Sequence, residues 1–134
     1  MYCYLLQDWF TLRGTSAITV LTQPEAQWFD ASLFQDAVAW VDVEKTTFSS
    51  GAPTLAFQTA ATKDDVFFVN MGSQSFSAPG KSVIVMLKET APTPLSQWLR
   101  WQLQVSSGAT WDITFRVFCA LNAVGSNRPT VAPG

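Results

Sequence analysis

The chain has 134 residues, of which 48% are hydrophobic and only 13% are charged, and its net charge is −2. This length is typical of one domain with a core of its own. The balanced charge argues against the basic surface of a nucleic-acid-binding protein and against a polybasic membrane patch. The chain contains no histidine, which removes Ser–His and Cys–His nucleophile pairs and the commonest zinc ligands.

Two well-separated cysteines cannot build a cysteine-rich metal site, and no glycine-rich phosphate loop is present. We therefore expect neither a metal nor a cofactor. The N-terminal residues 1–6 lack the positive region and the long apolar stretch of a signal peptide. No apolar run approaches the length that a bilayer span requires. We therefore expect synthesis in a cytoplasm and no membrane partner.

Short segments of alternating or β-branched character, separated by turn residues, predict strands along most of the chain. Pro24 ends the second of these segments, and residues 28–34 are predicted to be irregular or a single helical turn. Residues 72–80 are predicted to be a connection rich in Ser, Pro and Gly. The predicted strands are 2–6, 17–22, 37–43, 55–59, 66–71, 82–88, 99–106 and 111–121.

The last two predicted strands carry the clearest signal. Apolar residues alternate with polar ones from Leu99 to Val105 and again from Trp111 to Leu121, as a half-buried antiparallel strand requires. Gly108 stands between them and suits a short hairpin connection. We therefore expect these two strands to pair as a hairpin. The whole pattern predicts an all-β, single-domain antiparallel β-sandwich, jelly-roll-like, with about eight strands.

The sandwich is expected to span residues 1–122 and to be followed by an extended tail over residues 123–134. The composition of the tail is typical of turns and polyproline conformation, which bury little surface. Arg128 and Pro129 in this tail are candidates for contact with another chain.

The two cysteines, Cys3 and Cys119, do not form a disulfide framework. Cys119 falls on the apolar face of the last predicted strand, which favours a buried, reduced thiol. A bridge between the two would require the first and last strands to lie side by side.

Aromatic residues fall into two groups. The first follows the inward alternation and is predicted to be core: Phe57, Trp101, Trp111, Phe115 and, less regularly, Trp40. The second lies at strand ends or on the opposite phase and is a candidate for an exposed contact surface: Trp9, Phe10, Trp28, Phe29 and Trp98. Exposed aromatics serve sugar stacking or protein interfaces, and the alternative is that they plug the ends of the sandwich.

Two close carboxylate pairs could in principle serve glycoside hydrolysis. Asp42 and Glu44 stand at a strand end and are followed by Lys45, which favours a solvated ion pair. Asp64 and Asp65 lie in a polar loop, where carboxylates accept hydrogen bonds from the turn backbone. A calcium ion at that loop is conceivable, but nothing in the sequence points to it specifically. The structural interpretation is favoured for both pairs.

Three segments together resemble the small β-sandwich accessory proteins of tailed-bacteriophage virions: residues 28–43 (WFDASLFQDAVAWVDV), residues 55–71 (LAFQTAATKDDVFFVNM) and residues 95–121 (LSQWLRWQLQVSSGATWDITFRVFCAL). Within them, Gln58 to Asp64 is similar to a Q-T-[SA]-x-T-x-D loop of that family, and Leu99-Arg100-Trp101 to an L-R-W strand. The first twenty or so residues lie outside this match. The resemblance implies a capsid-bound decoration, spike or minor head protein and carries no catalytic residue.

The expected function is therefore that of a non-enzymatic virion structural protein. It would bind the major capsid protein, its own copies, or both, and would be made in the cytoplasm of a bacterial host. Low charge, unassigned aromatics and the C-terminal tail support this expectation. The alternatives are a carbohydrate-binding module that uses Trp9, Trp28 and Trp98 as a glycan platform, a neck or tail accessory protein, and a glycosidase.

Overall fold

The structure is a computed structural model that describes residues 2–15, 19–49, 51–86, 95–105 and 110–123. The described residues form nine strands and two short 3₁₀ turns, at Glu25–Gln27 and Asp65–Phe67. The strands are β1 (Tyr2–Gly14), β2 (Val20–Thr22), β3 (Phe29–Asp30), β4 (Phe34–Phe48), β5 (Thr54–Ala60), β6 (Val69–Ser75), β7 (Gly80–Met86), β8 (Trp98–Gln104) and β9 (Trp111–Ala123).

The strands form two antiparallel sheets. Sheet A has the order β1-β9-β4-β7. Sheet B has the order β2-β8-β5-β6, and β3 pairs with β8 on the same edge as β2. The predicted all-β antiparallel sandwich is confirmed, with nine strands where about eight were expected.

The core lies between the sheets because each central strand turns its apolar side chains inward. In sheet B, Leu99, Trp101 and Leu103 of β8 are buried; in sheet A, every second residue of β9 from Trp111 to Leu121 is buried. Across the core the rings of Trp101 and Phe115 meet edge to face, with their centroids 5.2 Å apart. The predicted core positions Phe57, Trp101, Trp111 and Phe115 are confirmed.

The expected hairpin between the last two strands is wrong. β8 belongs to sheet B and β9 to sheet A, so the chain crosses from one sheet to the other between them. Alternation of apolar and polar residues shows only that each strand has one buried face. Two strands that face each other across a core have the same pattern as two strands that pair in one sheet. Among the described residues, β5 and β6 are the only consecutive strands that pair with each other. Gly108 lies outside the described residues.

Other boundaries also differ from the sequence prediction. β1 continues to Gly14 because β9 is long enough to pair with it, with two register shifts on the way. β3 lies within the segment predicted to be irregular, and β6 continues into the predicted connection as far as Ser75. The segment that begins at Val66 forms a 3₁₀ turn before its strand. Residues 16–18, 87–94 and 106–109 of the predicted strands and connections, and residues 124–134 of the tail, lie outside the described residues.

Gln23, a buried amide, links the two sheets where β2 ends. Its side-chain oxygen accepts a hydrogen bond from the backbone N–H of Trp101 at 3.2 Å. Its amide nitrogen donates to the carbonyl oxygens of Leu6 (3.2 Å) and Gln27 (3.1 Å). Because all of these groups are satisfied, the polar side chain can be buried without a large desolvation penalty.

The strand order brings the two cysteines onto adjacent strands but not into contact. Cys3 pairs with Ala120, and Cys119 pairs with Tyr4, so the two side chains point to opposite faces of sheet A. Both thiols are free; Cys3 is exposed and Cys119 is buried. The expected buried, reduced Cys119 is confirmed. Burial of the Cys119 thiol raises its pKa from 9.0 to about 12, and the electrostatic effect of Cys3 makes a smaller contribution to this increase.

We predict that this thiol makes stability depend on pH in alkaline solution. Unfolded chains ionise the thiol above about pH 9, whereas the folded chain keeps it neutral until about pH 12. The contribution of the Cys119 thiol to the free energy of unfolding is therefore complete below about pH 9 and is lost as the pH rises towards 12. Urea unfolding should show that the free energy of unfolding falls more between about pH 8 and about pH 10.5 for the native protein than for Cys119→Ala. Cys3→Ala should stay much closer to the native protein than Cys119→Ala does, because burial and not Cys3 is the main cause of the raised pKa. Equal losses of free energy of unfolding in all three proteins would contradict the assignment.

Two phenylalanines offer a matched test of the core. Phe115→Ala should lower the free energy of unfolding by about 3–5 kcal/mol, because it leaves a cavity between the sheets. Phe67→Ala, at a side chain that is 62% exposed, should change it by less than about 0.5 kcal/mol. Chemical denaturation of both variants measures the difference, and similar values for the two would mean that the core is assigned wrongly.

Candidate functional site

The outer face of sheet A carries an apolar row that crosses all four strands. The row consists of Leu5 in β1, Phe118 in β9, Trp40 in β4 and Val83 in β7, which pair in register. Directly paired residues point to the same side of a sheet, so these side chains form one continuous strip. Ala120, Val38 and Val85 form the next row. We call these seven residues the apolar face.

Trp40 shows that this surface is open. It was predicted to be core, but it is 40% exposed, and its neighbours Ala39 and Val41 are the ones that point inward. The prediction was wrong because β4 has apolar residues on both faces of the strand, so the sequence pattern alone does not show which face is buried. Leu5, Val83 and Val85 are likewise exposed. An apolar outer face is unusual for a sandwich, whose solvent side is normally polar.

A charged row borders the apolar face. The guanidinium of Arg116 donates to a carboxylate oxygen of Asp42 at 3.2 Å, and Lys81 is the residue paired with Asp42 on β7. The same guanidinium lies 4.7 Å from the ring centroid of Trp9 and 5.0 Å from that of Phe118. Arg116 therefore joins the charged row to the apolar face through cation–π contacts.

The outer face of sheet B has a different character, because its polar groups bind each other. The amide of Gln58 donates to Asn70 at 2.9 Å and to Gln102 at 3.2 Å. Gln104 donates to Gln102 at 2.9 Å, and Gln102 donates to Thr22 at 3.0 Å. This amide ladder crosses from β6 to β2 and leaves few of its own groups free for a partner.

Arg100 is the central residue of the outer side of sheet B. Its side chain is only 3% exposed, and it forms an ion pair with Asp65, whose side chain is 75% exposed. Its Nε donates to Gln58 at 2.9 Å. The guanidinium lies 3.9 Å from the ring centroid of Phe68 and 4.9 Å from that of Trp28, so it is held by both aromatic rings. Together these contacts fasten the loop between β5 and β6 to the sheet.

That loop presents two apolar side chains at its tip. Val66 is 78% exposed and Phe67 is 62% exposed. The carboxylate of Asp64 accepts a hydrogen bond from the N–H of Val66 at 3.2 Å and so caps the 3₁₀ turn, as predicted for this loop. Asp65 anchors the turn to Arg100. We call Val66 and Phe67 the loop tip.

Beside the loop tip, aromatic rings cover the same end of the sandwich. Phe29 and Phe34 stack with their centroids 6.0 Å apart, and Tyr4 contacts both. Tyr2 contacts Phe34 edge to face. The side chains of Tyr2, Tyr4 and Phe34 line an open groove with Leu33, which is exposed in the turn after Asp30. The N–H of Ser32 donates to Asp30 and keeps the pKa of that carboxyl below its usual range.

The candidate aromatics divide between the two sheets. Trp9 and Phe10 lie on β1 of sheet A, and both are exposed. Trp28 packs on Arg100 and Phe68, and the indole N–H of Trp28 donates to the carbonyl of Gln23 at 2.7 Å. Trp98 lies on the same side of sheet B, with the ammonium of Lys63 4.8 Å from its ring centroid. Trp9 is thus on the sheet opposite to Trp28 and Trp98, and the three do not form one platform.

Phe29 and Trp98 are half-buried at this end of the sandwich. We call the end that carries the loop tip and the rings of Tyr2, Tyr4, Phe29 and Phe34 the aromatic end. The two other candidates, Arg128 and Pro129, lie outside the described residues. The structure therefore brings Trp28, Phe29 and Trp98 to the end that carries the loop tip and leaves Trp9 and Phe10 on the first strand.

The carboxylate pairs have structural partners. Asp42 pairs with Arg116 and not with Lys45, and Glu44 falls in a register shift of β4. Asp64 caps a turn and Asp65 binds Arg100. Within the described ranges, no group of three or more acidic or cysteine side chains could hold a metal ion. No helix among the described residues is long and apolar enough to cross a membrane.

Sequence reasoning missed Arg100, Phe68 and the loop tip. Arg100 occupies a polar position in an alternating strand, where a solvated side chain is the usual expectation. Its burial comes from a loop that folds back over the sheet, and alternation gives no information about such a loop. The consecutive apolar residues Val66, Phe67 and Phe68 were a signal, but they fit a strand equally well.

No known protein-family profile matches the chain, and no curated protein matches it significantly.

We predict that Arg100→Lys lowers the free energy of unfolding by about 1–3 kcal/mol, because an ammonium cannot reproduce both the Gln58 bond and the contacts with the aromatic rings. Arg13→Lys is the matched control. Arg13 also pairs with an aspartate, Asp112 at 2.9 Å, but its side chain is 76% exposed, so the change should stay within about 0.5 kcal/mol. Urea unfolding compares the two, and an equal effect would contradict the anchoring role of Arg100.

Proposed function

We propose that the chain is a non-enzymatic structural protein of a bacteriophage particle, a decoration or minor head protein that binds the major capsid protein, its own copies, or both. The observation that carries this proposal is the exposed apolar surface on two separate parts of the sandwich, the apolar face and the aromatic end with its loop tip. Contiguous exposed apolar surface typically marks a protein–protein contact. The sequence resemblance to phage accessory proteins supports the same interpretation.

We also propose that the sandwich is jelly-roll-like, and the strand order supports this. If β2 and β3 are counted as one interrupted strand, eight strands form two sheets of four, and β1 lies beside β9 at the opposite end of the chain. Such interleaving of consecutive strands between two sheets is typical of double Greek-key jelly rolls, an architecture used by viral capsid proteins and also by lectins. The architecture alone does not assign a function.

The aromatic end is the surface that we assign to the shell. The loop tip projects two apolar side chains, and the Arg100–Asp65 pair with the Asp64 cap holds the turn in place before binding. A pre-ordered apolar anchor loses little conformational entropy when it enters a pocket of a partner. Phe67 is therefore the side chain that should contribute most to binding.

A glycan-binding function is less well supported, since Trp9 does not share a surface with Trp28 and Trp98. The amide ladder of sheet B is also engaged in internal hydrogen bonds. A carbohydrate module would still need two or three coplanar exposed rings, and tryptophan fluorescence titrated with oligosaccharides would detect binding.

The test is binding to particles. Purified phage particles that contain the chain should release it under mild denaturation and bind it again when it is added back. The variant Phe67→Ser should bind at least about ten times more weakly, because it removes the central anchor. Val20→Ser, at an exposed valine at the other end of sheet B, is the matched control and should bind normally.

Absence of the chain from purified particles, or equal binding by both variants, would contradict the proposal. Recovery of the chain only with neck or tail components would move it to the alternative class of accessory proteins.

A further inference from the structure

We propose that the apolar face of sheet A is a two-fold interface between two copies of this chain, packed face to face. This inference deepens the proposed function, on which it rests for the role of the protein's own copies as a partner. The apolar face is separate from the aromatic end that is assigned to the shell.

The strand order makes the apolar face self-complementary. A two-fold axis that runs parallel to the strands, between the central strands β9 and β4, places β1 of one copy over β7 of the other and β9 over β4. In the apolar row, Phe118 then faces Trp40 of the second copy and Leu5 faces Val83. Each large side chain therefore meets an apolar partner.

The bordering charged row is complementary under the same axis. Arg116 of one copy faces Asp42 of the other, and Asp42 faces Arg116. Lys81 comes to lie over the irregular stretch of β1 that contains Asp8 and Trp9. An axis perpendicular to the strands would instead place the charged row over Val38 and Val85. The charge pattern thus selects one of the two arrangements.

The size of the face indicates how strong this contact is. Four strands spaced about 4.8 Å apart, taken over the seven residues of β7 at about 3.3 Å each, give the outer face of sheet A a size of about 19 by 23 Å, on the order of 400 Å² in projection. This area includes both the apolar face and the charged row. A standard interface buries about 800 Å² of accessible surface per partner, and accessible surface exceeds projected area because side chains stand out from the sheet. We therefore expect a reversible dimer with a dissociation constant in the micromolar range. Binding to a particle would favour it further by raising the local concentration.

The two outer faces differ in a way that points to sheet A. The outer groups of sheet B satisfy each other in the amide ladder, and Arg100 is covered by its own loop. On sheet A, Trp40, Val83 and Val85 have no such cover from the described residues and are exposed. Packing two such faces together removes this apolar surface from water in both copies.

The test uses the isolated full-length protein in sedimentation velocity over a range of concentrations. The native protein should shift from the mass of one chain to the mass of two as the concentration rises through the micromolar range. Trp40→Ser should raise the dissociation constant by roughly 30-fold, as the loss of a central interface residue does. The control Lys63→Glu, on the sheet B side, should leave the dissociation constant unchanged.

Charge reversal tests the proposed register directly. Arg116→Glu alone and Asp42→Lys alone should each abolish the dimer, because each places like charges opposite one another in both symmetry-related contacts. An equimolar mixture of the two variants should restore a dimer. In the mixed pair the introduced glutamate of one variant faces the introduced lysine of the other, and the remaining native Asp42 faces the remaining native Arg116.

Restoration in the mixture cannot come from the pairing within one chain, where the like charges remain. Urea unfolding of each variant verifies that it is folded. A monomeric native protein at all concentrations, or a mixture that stays monomeric although both variants are folded, would overturn the dimer.

Particle binding separates this inference from the proposed function. If Trp40→Ser leaves self-association intact but prevents binding to particles, the apolar face belongs to the shell and the inference is equally overturned. Normal particle binding by a strictly monomeric protein would refute this inference and leave the proposed function standing.

Discussion

The packing of β8 against β9 across the core sets the arrangement of all the other strands. Both strands have a complete apolar side, and Trp101 and Phe115 meet edge to face between the sheets. Because the two strands belong to different sheets, burying their apolar sides against each other determines which side of every neighbouring strand points inward. It therefore also determines which residues remain on the two outer faces. The exposed apolar surfaces are a consequence of this core.

The outer faces of the two sheets differ in how far their side chains are shielded from solvent. Sheet B places amides and Arg100 outward and satisfies them internally, so its surface is closed by its own hydrogen bonds and by the loop between β5 and β6. Sheet A places Trp40, Phe118 and two valines outward with no comparable cover from the described residues. Exposed apolar surface of this kind favours association and makes a lone chain prone to aggregation. The assembly role that we propose would account for such a surface.

Much of the fold could be predicted from the sequence, because alternation reports the two sides of a strand. It identified Phe57, Trp101 and Phe115 as core and recovered most strands. It could not tell that β8 and β9 face each other across the core, since a hairpin and a crossing leave the same pattern in one strand. Where both phases are apolar, as at Trp40 in β4, only the neighbouring strands decide which side is buried. The burial of Arg100 depends on a loop far away in sequence, and no local pattern encodes it.

Electron cryomicroscopy of intact phage particles that contain the chain would show whether other chains cover the outer apolar surfaces. We predict copies of the sandwich on the shell, with the aromatic end against the capsid and the β1-β9-β4-β7 sheets of neighbouring copies in contact. A map in which the sandwich is present but both surfaces face solvent would contradict this prediction.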